Sequence, residues 1–385
     1  MVRRKICIVT GSRADYGLLR PLIKEVSDDD HLSLQIIAAG MHLMSRHGFT
    51  YKQIIQDGFK IDAKVDVGLK TDTDIETAMA AGRGVTGFAG AFQRLKPDIV
   101  VVLGDRYEIM AAATAAMLMG IPIAHIHGGE VTVGAFDDAI RHAITKMAYL
   151  HFVSHKDYAR RVIQMGEDPK RVFNYGAPGL DSIKALKLLS KDELEKYLDF
   201  KLDKNTALVT YHPVTMEKGS TKEQINNLLL ALDKSDLRIV FTMPNADPEN
   251  DIIFKKIETF VQKNPDKSRC YTSLGQLRYL SLMQYAGVMI GNSSSGIIEA
   301  PSFQLPVVNI GSRQKGRIRA ENVIDTPADP SAIARAIKKA LSPVFQKNIK
   351  TLKNPFGNGT ASVRIKDELK GIDLSNLQKG FYDLK

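Results

Sequence analysis

The feature that most constrains the fold is a regular alternation of apolar runs with helical segments. Each apolar run is bounded by Gly, Pro or charged residues, and the first series includes KICIVTG, LSLQIIAAG, PDIVVVLG and IPIAHIHGG. A charged helical stretch, DSIKALKLLSKDELEKYL, precedes a second series that includes TALVTYHPV, LRIVFTMPN, GVMIGN and PVVNIG. Such alternation predicts parallel sheets with right-handed crossovers. We therefore expect an α/β protein of two Rossmann-type, doubly wound parallel-sheet domains that face each other across a cleft.

The domain boundaries follow from the change of pattern. The length of 385 residues suits two domains. We place an N-terminal domain at residues 1–175 and a C-terminal domain at residues 176–365. Residues 366–385 are expected to form a C-terminal helix or tail that can pack back on the N-terminal domain.

Composition is ordinary for a soluble globular protein, with 44% hydrophobic and 25% charged residues. No apolar run approaches the roughly 20 residues that a membrane-spanning helix needs. The first residues, MVRRKICIVTGSR, read as a first strand and not as a signal peptide. Cys7 and Cys270 lie far apart in apparent strands, as is typical of a reducing cytoplasm. We expect a cytoplasmic protein with no membrane partner.

The net charge of +10 favours an anionic partner. Lys and Arg are spread along the chain, which has no Trp and no RNP, zinc-finger or helix-turn-helix signature. We therefore expect no nucleic-acid partner and favour a small anion such as a diphosphate.

Three clusters of ionisable residues follow one another within residues 103–146. The carboxyl ends of strands form the ligand crevice of an open α/β sheet, so these clusters predict an active site in the N-terminal domain. Salt-bridged loop ends are the alternative. The clusters are Asp105, Arg106 and Glu108; His125, His127 and Glu130; and Asp137, Asp138, Arg141 and His142.

A serine loop, GNSSSG at residues 291–296, follows the apolar run GVMI and precedes a helical segment. Free N–H groups at a helix N-terminus bind phosphate, and three hydroxyls with two flanking glycines strengthen that prediction over an ordinary Ser N-cap. Glu299 is one turn further on, where a carboxylate can accept hydrogen bonds from a ribose diol. The candidate anion contacts here are Asn292, Ser293, Ser294 and Ser295.

Further candidate anion contacts stand at other strand ends. Arg13 follows the first strand in TGSRADYG, and His212 follows the first strand of the second series. Arg313 begins a basic loop with Lys315, Arg317 and Arg319. The alternatives are a structural arginine, a histidine bonded to a carbonyl, and a solvated charge run. The segment after the first strand stands where a Rossmann fingerprint would lie but lacks G-x-G-x-x-G, and the sequence has no Walker A motif, so no nicotinamide, flavin or ATP cofactor is predicted.

A metal centre is poorly supported by the sequence. His125 and His127 alternate on one strand and would face the same side if it is regular, with Glu130 nearby. A zinc or two-metal site needs more ligands at tighter spacing, so we predict no metal.

The motifs TGSRADYG, LGDRYE, HIHGGE, DDAIRHAITK, YHPVT, GNSSSG and GSRQKGR together resemble those of the UDP-N-acetylglucosamine 2-epimerases. The resemblance is strongest to the hydrolysing branch that supplies N-acetylmannosamine for sialic acid synthesis, and it covers essentially the whole chain. It implies a GT-B-like pair of domains, with UDP held mainly by the second. It also implies that Asp105 and Arg106 lie beside the sugar and that Asp137 and Asp138 act in catalysis. The implied UDP contacts are Arg13, His212, Ser293, Ser294, Glu299 and Arg313.

His127 departs from the pattern of several relatives, which carry Glu at this position. The His form resembles a bacterial subset that acts on UDP-N-acetylglucosamine or on a related 2,4-diacetamido sugar. The proton-handling residue is therefore left open between His127 and the neighbouring carboxylates.

The family reaction is an anti elimination of UDP to a 2-acetamidoglucal, followed by addition of water. It requires proton-handling groups on two faces of the sugar and stabilisation of the departing diphosphate, and it needs no cofactor. Our catalytic candidates, without assigned acid and base, are Asp105, His127, Glu130, Asp137 and Asp138. The alternatives are a non-hydrolysing epimerase, a GT-B glycosyltransferase and a non-catalytic nucleotide-sugar sensor. A homo-oligomer, dimer or tetramer, is also expected.

Overall fold

The computed structural model describes residues 3–45, 48–69, 71, 73–131, 136–214, 219–243 and 250–384. The chain divides into two compact units. The first unit comprises Met1–Val131, Phe136–Ser182 and Phe356–Lys385, and the second is built around Ile183–Pro355.

The described part of the first unit contains a seven-stranded parallel sheet with the order β3-β2-β1-β4-β5-β6-β7. Its central strands are buried on both faces, which explains why PDIVVVLG reads as a continuous apolar run. The strands are β1 (Arg4–Thr10), β2 (Leu32–Ala39), β3 (Ala63–Val65), β4 (Ile99–Leu103), β5 (Ile123–Ile126), β6 (Leu150–Val153) and β7 (Val172–Asn174).

Helices cover both faces of this sheet. Alternate residues of β1 enter different cores: Ile6 and Ile8 pack with residues of the first helix, whereas Cys7 and Val9 pack with the third and fourth. The helices are α1 (Arg13–Asp28), α2 (Tyr51–Gln56), α3 (Asp74–Leu95), α4 (Tyr107–Leu118), α5 (Phe136–Met147), α6 (Lys156–Gln164) and α7 (Asp181–Ala185).

The second unit repeats the arrangement, with a described six-stranded parallel sheet in the order β10-β9-β8-β11-β12-β13. Its strands are β8 (Thr206–Thr210), β9 (Arg238–Thr242), β10 (Ser268–Tyr271), β11 (Val288–Gly291), β12 (Val307–Ile310) and β13 (Val323–Thr326). Its helices are α8 (Lys191–Leu198), α9 (Thr221–Asp233), α10 (Asn250–Lys263), α11 (Gly275–Tyr285), α12 (Ser295–Ile298), α13 (Pro330–Ala340) and α14 (Pro343–Ile349).

Strand order reverses at the same place in each sheet. β1 lies beside β4 in the first unit, and β8 lies beside β11 in the second. A ligand crevice opens at the carboxyl ends of such a pair, because the chain leaves the two strands toward opposite faces of the sheet. In each unit, the residues that follow these two strands are therefore the expected lining of a ligand site.

The chain returns to the first unit with α15 (Ala361–Gly371), which packs on α1. Asp181 accepts hydrogen bonds from the backbone N–H groups of Ala361 (3.1 Å) and Ser362 (2.5 Å) at the start of α15. At its end, Arg4 Nη1 donates to the carbonyl of Leu369 at 2.8 Å. The unit boundaries thus fall after Ser182 and before Phe356, whereas the sequence analysis placed them at residues 175 and 365.

Within the ranges given above, no helix combines the length and apolar character that a bilayer crossing requires. The two cysteines are free, Cys7 being buried and Cys270 partly so.

Candidate functional site

Arg106 and Glu108 form an ion pair just after β4. Arg106 Nε donates to Glu108 Oε1 at 2.5 Å, and the Glu108 side chain is fully buried while that of Arg106 is 34% exposed. The carboxylate rests against two glycines, since a Cβ added to Gly11 would come within 2.6 Å of Glu108 Oε1 and one on Gly40 within 3.0 Å. The ends of β1, β2 and β4 thus meet around one buried carboxylate.

Asp15 lies beside this pair, in the first turn of α1. Ser12 is the N-cap, and its hydroxyl oxygen accepts from the Asp15 backbone N–H at 3.2 Å. Burial raises the pKa of the Asp15 carboxyl to about 6, against an opposing effect of Arg106. Oδ2 of Asp15 is buried and has no hydrogen-bond partner in the described part of the chain. Arg13 begins the same helix and is exposed.

Asp105 joins the first predicted cluster to the third. Its Oδ2 accepts a hydrogen bond from Arg141 Nη2, and the Arg141 side chain is only 3% exposed. Arg141 Nη1 also lies 3.7 Å from Asp138 Oδ1, and His142 Nε2 lies 3.5 Å from Asp138 Oδ2. This network, which also lies near Asp137 in the first turn of α5, places two carboxylates around one buried guanidinium.

His127 and Glu130 form the second cluster at the end of β5. His127 Nδ1 lies 2.6 Å from Glu130 Oε1, and Ser154 Oγ donates to the same oxygen at 2.9 Å. Because an ionised carboxylate only accepts, Nδ1 must donate, which leaves Nε2 as the acceptor of the neutral ring. His127 Nε2 is buried without a partner among the described residues. The arrangement is a histidine base oriented by a carboxylate.

The backbone of His127 is in the left-handed region, with φ of 66°. β5 ends at Ile126, so the alternation that would have put His125 and His127 on one side does not continue. His125 is instead structural: its Nε2 bonds with the Gly104 carbonyl at 2.9 Å, and burial lowers its pKa to about 3. A non-glycine residue held at positive φ in a buried site is a feature that clusters at functional positions.

The second unit ties the ends of β8 and β11 together. The His212 backbone N–H donates to Asn292 Oδ1 at 2.7 Å, and Asn292 Nδ2 donates back to the His212 carbonyl at 2.8 Å. Gly291 has φ of 138°, and a Cβ there would come within 1.9 Å of the Thr210 carbonyl oxygen. Burial, followed by the charge of Arg313, lowers the pKa of His212 to about 3. His212 is therefore neutral at pH 7.

The serine loop is arranged by its neighbours. Ser294 is the N-cap of α12 but makes no side-chain capping bond within the described residues, so the ordinary-cap alternative does not account for its hydroxyl. The Tyr279 hydroxyl, from α11, hydrogen-bonds with Ser293, Ser295 and Thr210, and burial raises its pKa to about 12. Ser293 and Ser294 are half-buried, as is Glu299 at the end of α12.

The basic loop after β12 contacts the start of the serine loop at Asn292. Arg313 Nη1 and Gln314 Nε2 both donate to the Asn292 carbonyl, at 3.1 and 2.8 Å. Arg319 instead faces Asp325, with its Nε 3.0 Å from Oδ2. The second unit therefore gathers at one strand edge the predicted residues His212, Asn292, Ser293, Ser294 and Arg313.

Several neighbours of the site were not among the predicted residues. Asp15 is an ordinary helix-start acid in sequence, and only the meeting of β1 with β4 brings it within electrostatic reach of Arg106 and Glu108. Ser154 follows a strand end, the one signal that could have identified it. Tyr279 and Gln314 carry no local signal. Over the described ranges, no group of three or more His, Cys, Asp or Glu residues is arranged to hold a metal ion.

Two Rossmann-like parallel sheets, each with polar side chains gathered at its strand-order reversal, define a GT-B-like fold of the kind that nucleotide-sugar enzymes use. A family model described as UDP-N-acetylglucosamine 2-epimerase matches residues 24–370. The chain belongs to this family, and it is a UDP-sugar 2-epimerase.

Similar proteins extend over the whole chain. A Campylobacter jejuni protein named GDP/UDP-N,N'-diacetylbacillosamine 2-epimerase (hydrolyzing) is 46% identical over 100% of both chains. An Escherichia coli protein named polysialic acid biosynthesis protein P7 is 39% identical over 99% of this chain and 98% of its own. The solved structure of UDP-N-acetylglucosamine 2-epimerase from Rickettsia bellii has a TM-score of 0.76 at 20% identity, with 96% of each chain covered, which shows a common fold.

Proposed function

We propose that this enzyme is a hydrolysing 2-epimerase, which converts a UDP-linked 2-acetamido sugar and water into the free 2-epimeric sugar and UDP. Family membership supports the epimerase chemistry, and the 46% identical relative, which is named as hydrolyzing, supports release of free sugar. The observation that carries the proposal is the His127–Glu130 pair, in which a buried imidazole is held with Nε2 as acceptor. Removal of a C–H proton requires a base that is held in position with its acceptor atom uncommitted, which this pair supplies.

The preferred substrate is UDP-N,N'-diacetylbacillosamine, a UDP-2,4-diacetamido-2,4,6-trideoxyglucose. The name of the relative that matches the full chain at 46% identity supports this choice, and that name also includes the GDP-linked sugar. The second candidate is UDP-N-acetylglucosamine, which would give N-acetylmannosamine for sialic acid synthesis. The family description and the relative of the polysialic acid pathway favour it.

In the proposed elimination, His127 Nε2 takes the C2 proton while the bond from C1 to the UDP oxygen breaks. The electron pair of the C2–H bond becomes the C1–C2 double bond, and UDP carries away the pair of the C1–O bond. Water then adds its hydroxyl to C1, and C2 receives a proton on the opposite face. The network of Asp105, Asp138 and Arg141 is proposed as the second proton-handling group, with Asp137 beside it.

The diphosphate is proposed to bind the second unit. Neutral His212, Arg313 and the hydroxyls of Ser293 and Ser294 are the donors of this edge, and such donors stabilise charge that develops on the leaving group. Glu299 is proposed to accept from the ribose hydroxyls. Asn292 holds the loop by its bonds with His212. Arg13 is proposed as a further UDP contact, and Arg106 as a contact of the UDP-sugar.

The test is turnover of three substrates in deuterated water: UDP-N,N'-diacetylbacillosamine, its GDP-linked form and UDP-N-acetylglucosamine. We expect release of the nucleoside diphosphate (UDP, or GDP from the GDP-linked form) and a free 2-epimeric sugar with deuterium at C2, with the highest kcat/KM for the first substrate. Protium retained at C2 would exclude the elimination. A product still linked to UDP would show a non-hydrolysing epimerase. Sedimentation of the purified chain tests the proposed dimer or tetramer.

A further inference from the structure

Among the described residues, the guanidinium of Arg106 is held through Nε alone. The one hydrogen bond that this guanidinium makes to another described residue runs from Nε to Glu108 Oε1, and a third of the Arg106 side chain is exposed. The two terminal Nη groups therefore make no hydrogen bond within the described part of the molecule. A guanidinium fixed at Nε with both Nη groups uncommitted matches the bidentate geometry of a phosphate.

Burial of the Glu108 carboxylate is unfavourable for the stability of the fold. It is fully buried, and Oε2 has no hydrogen-bond partner among the described residues. Removing a carboxylate from water costs several kcal/mol of folding free energy, which is about as much as its attraction to one guanidinium contributes. A gain in stability therefore does not explain the ion pair. Gly11 and Gly40 supply the space, because a side chain at either would meet the carboxylate.

Asp15 adds a second carboxylate close enough to interact electrostatically with the same guanidinium. Carboxylates from two different helices, α1 and α4, thus act on Arg106. A side chain with many rotamers loses less entropy on binding a ligand when its position is already fixed.

We propose that Glu108 is a positioning residue, which fixes the guanidinium of Arg106 so that both Nη groups bind the diphosphate of the nucleotide sugar. This inference rests on the proposed function. Glu108 acts through Arg106 and does not itself contact the substrate. Gly11 and Gly40, which leave room for the Glu108 carboxylate, thereby contribute to nucleotide-sugar binding. Neither glycine lies in a nucleotide-binding motif.

A double-mutant cycle between Glu108 and Arg106 tests the proposal, with UDP affinity measured by calorimetry and kcat and KM by UDP-sugar turnover. Glu108→Gln is expected to weaken UDP binding and raise KM about tenfold, because the amide holds Nε less firmly. In an Arg106→Met background the same change should have no further effect on either quantity. Glu76→Gln is the matched control: Glu76 pairs with Arg83 at 2.6 Å in α3, and its loss should leave UDP affinity unchanged.

UDP affinity equal to wild type in Glu108→Gln, or a loss that persists in the Arg106→Met background, would overturn the positioning role. If the amide variant does not fold, Glu108→Asp keeps the charge and withdraws the acceptor by one methylene; it should weaken UDP binding similarly, and unchanged affinity would overturn the proposal. A wild-type enzyme that neither binds UDP nor consumes a nucleotide sugar would instead count against the proposed function.

Discussion

His127 and Glu130 are joined at 2.6 Å by a hydrogen bond that depends on an unusual backbone, since His127 has φ of 66°. The left-handed turn occurs immediately after β5, and the peptide N–H of His127 still reaches the Phe152 carbonyl at 3.0 Å. Ser154 Oγ donates to the same Glu130 oxygen, so the carboxylate is fixed from two sides. The site therefore specifies which imidazole nitrogen carries the proton.

His127→Gln is expected to lower kcat by about 10² to 10⁴-fold while UDP affinity stays within about twofold, because the change removes a base and not a nucleotide contact. Turnover and UDP calorimetry on the same preparation measure both quantities. Glu130→Gln should lower kcat by a similar or smaller factor, since the amide no longer enforces the tautomer. Wild-type kcat in the His127 variant would move the base to the Asp105 network.

Ser154→Ala is expected to lower kcat about threefold to tenfold with KM unchanged, because the hydrogen bond that Ser154 Oγ donates to Glu130 Oε1 is lost, worth on the order of 1 kcal/mol. Steady-state kinetics checks this. The effect should disappear in a Glu130→Gln background, since the serine acts through that carboxylate. An additive loss in the double variant would assign Ser154 some other role.

Gly291→Ala is expected to abolish measurable UDP binding or prevent folding of the second unit, because the new Cβ would meet the Thr210 carbonyl oxygen at 1.9 Å. The clash is with backbone, which no rotamer change relieves. Gly90→Ala is the control: nothing lies within 4 Å of its Cβ position in α3, and the change should stabilise the protein by about 0.5–1 kcal/mol. Calorimetry and thermal unfolding separate the two outcomes; normal UDP binding by Gly291→Ala would refute the steric argument.

Asp15→Asn is expected to stabilise the protein at pH 7 by about 1–2 kcal/mol, and the gain should vanish near pH 4. The pKa of this carboxyl rises from 3.8 to about 6 on folding, mainly through burial. Since the folded state holds the proton more tightly, ionisation destabilises it, and stability is lost as pH rises between these two values. Urea unfolding of both proteins at pH 7.5 and pH 4 measures the difference.

Asp28→Asn supplies the comparison for Asp15, because Asp28 is 61% exposed and pairs with Lys24 on the helix surface. Its replacement should change stability by less than about 0.5 kcal/mol at either pH. An Asp15→Asn gain that is equal at the two pH values would show that charge burial is not its source.

Strand positions were predictable because a buried parallel strand must be apolar throughout: PDIVVVLG contains β4, and GVMIGN contains β11. For the three ionisable clusters, the sequence predicted a common edge of the sheet but not which side chains contact one another. The His127 backbone conformation was not predictable, because alternation along a strand says nothing of the conformation of the residue that follows the strand. Asp15 and Tyr279 escaped notice because their neighbours are distant in sequence and depend on strand order.

The domain boundaries were also not predictable in full, because they depend on contacts between residues that are distant in sequence. A helical pattern at the end of the chain indicates α15 but not the sheet to which it belongs. That choice depends on pairings such as Asp181 with Ala361, which are separated by 180 positions.

The return of α15 to the first unit also sets an order for biosynthesis. On the ribosome, Asp181 emerges before the second unit, whereas the amides that it caps emerge only after Pro355 has been added. The core beneath Leu19 and Ile23 consequently stays open on the α15 side while the entire second unit is made. The nascent first unit is the part of this chain that a chaperone would need to shield longest.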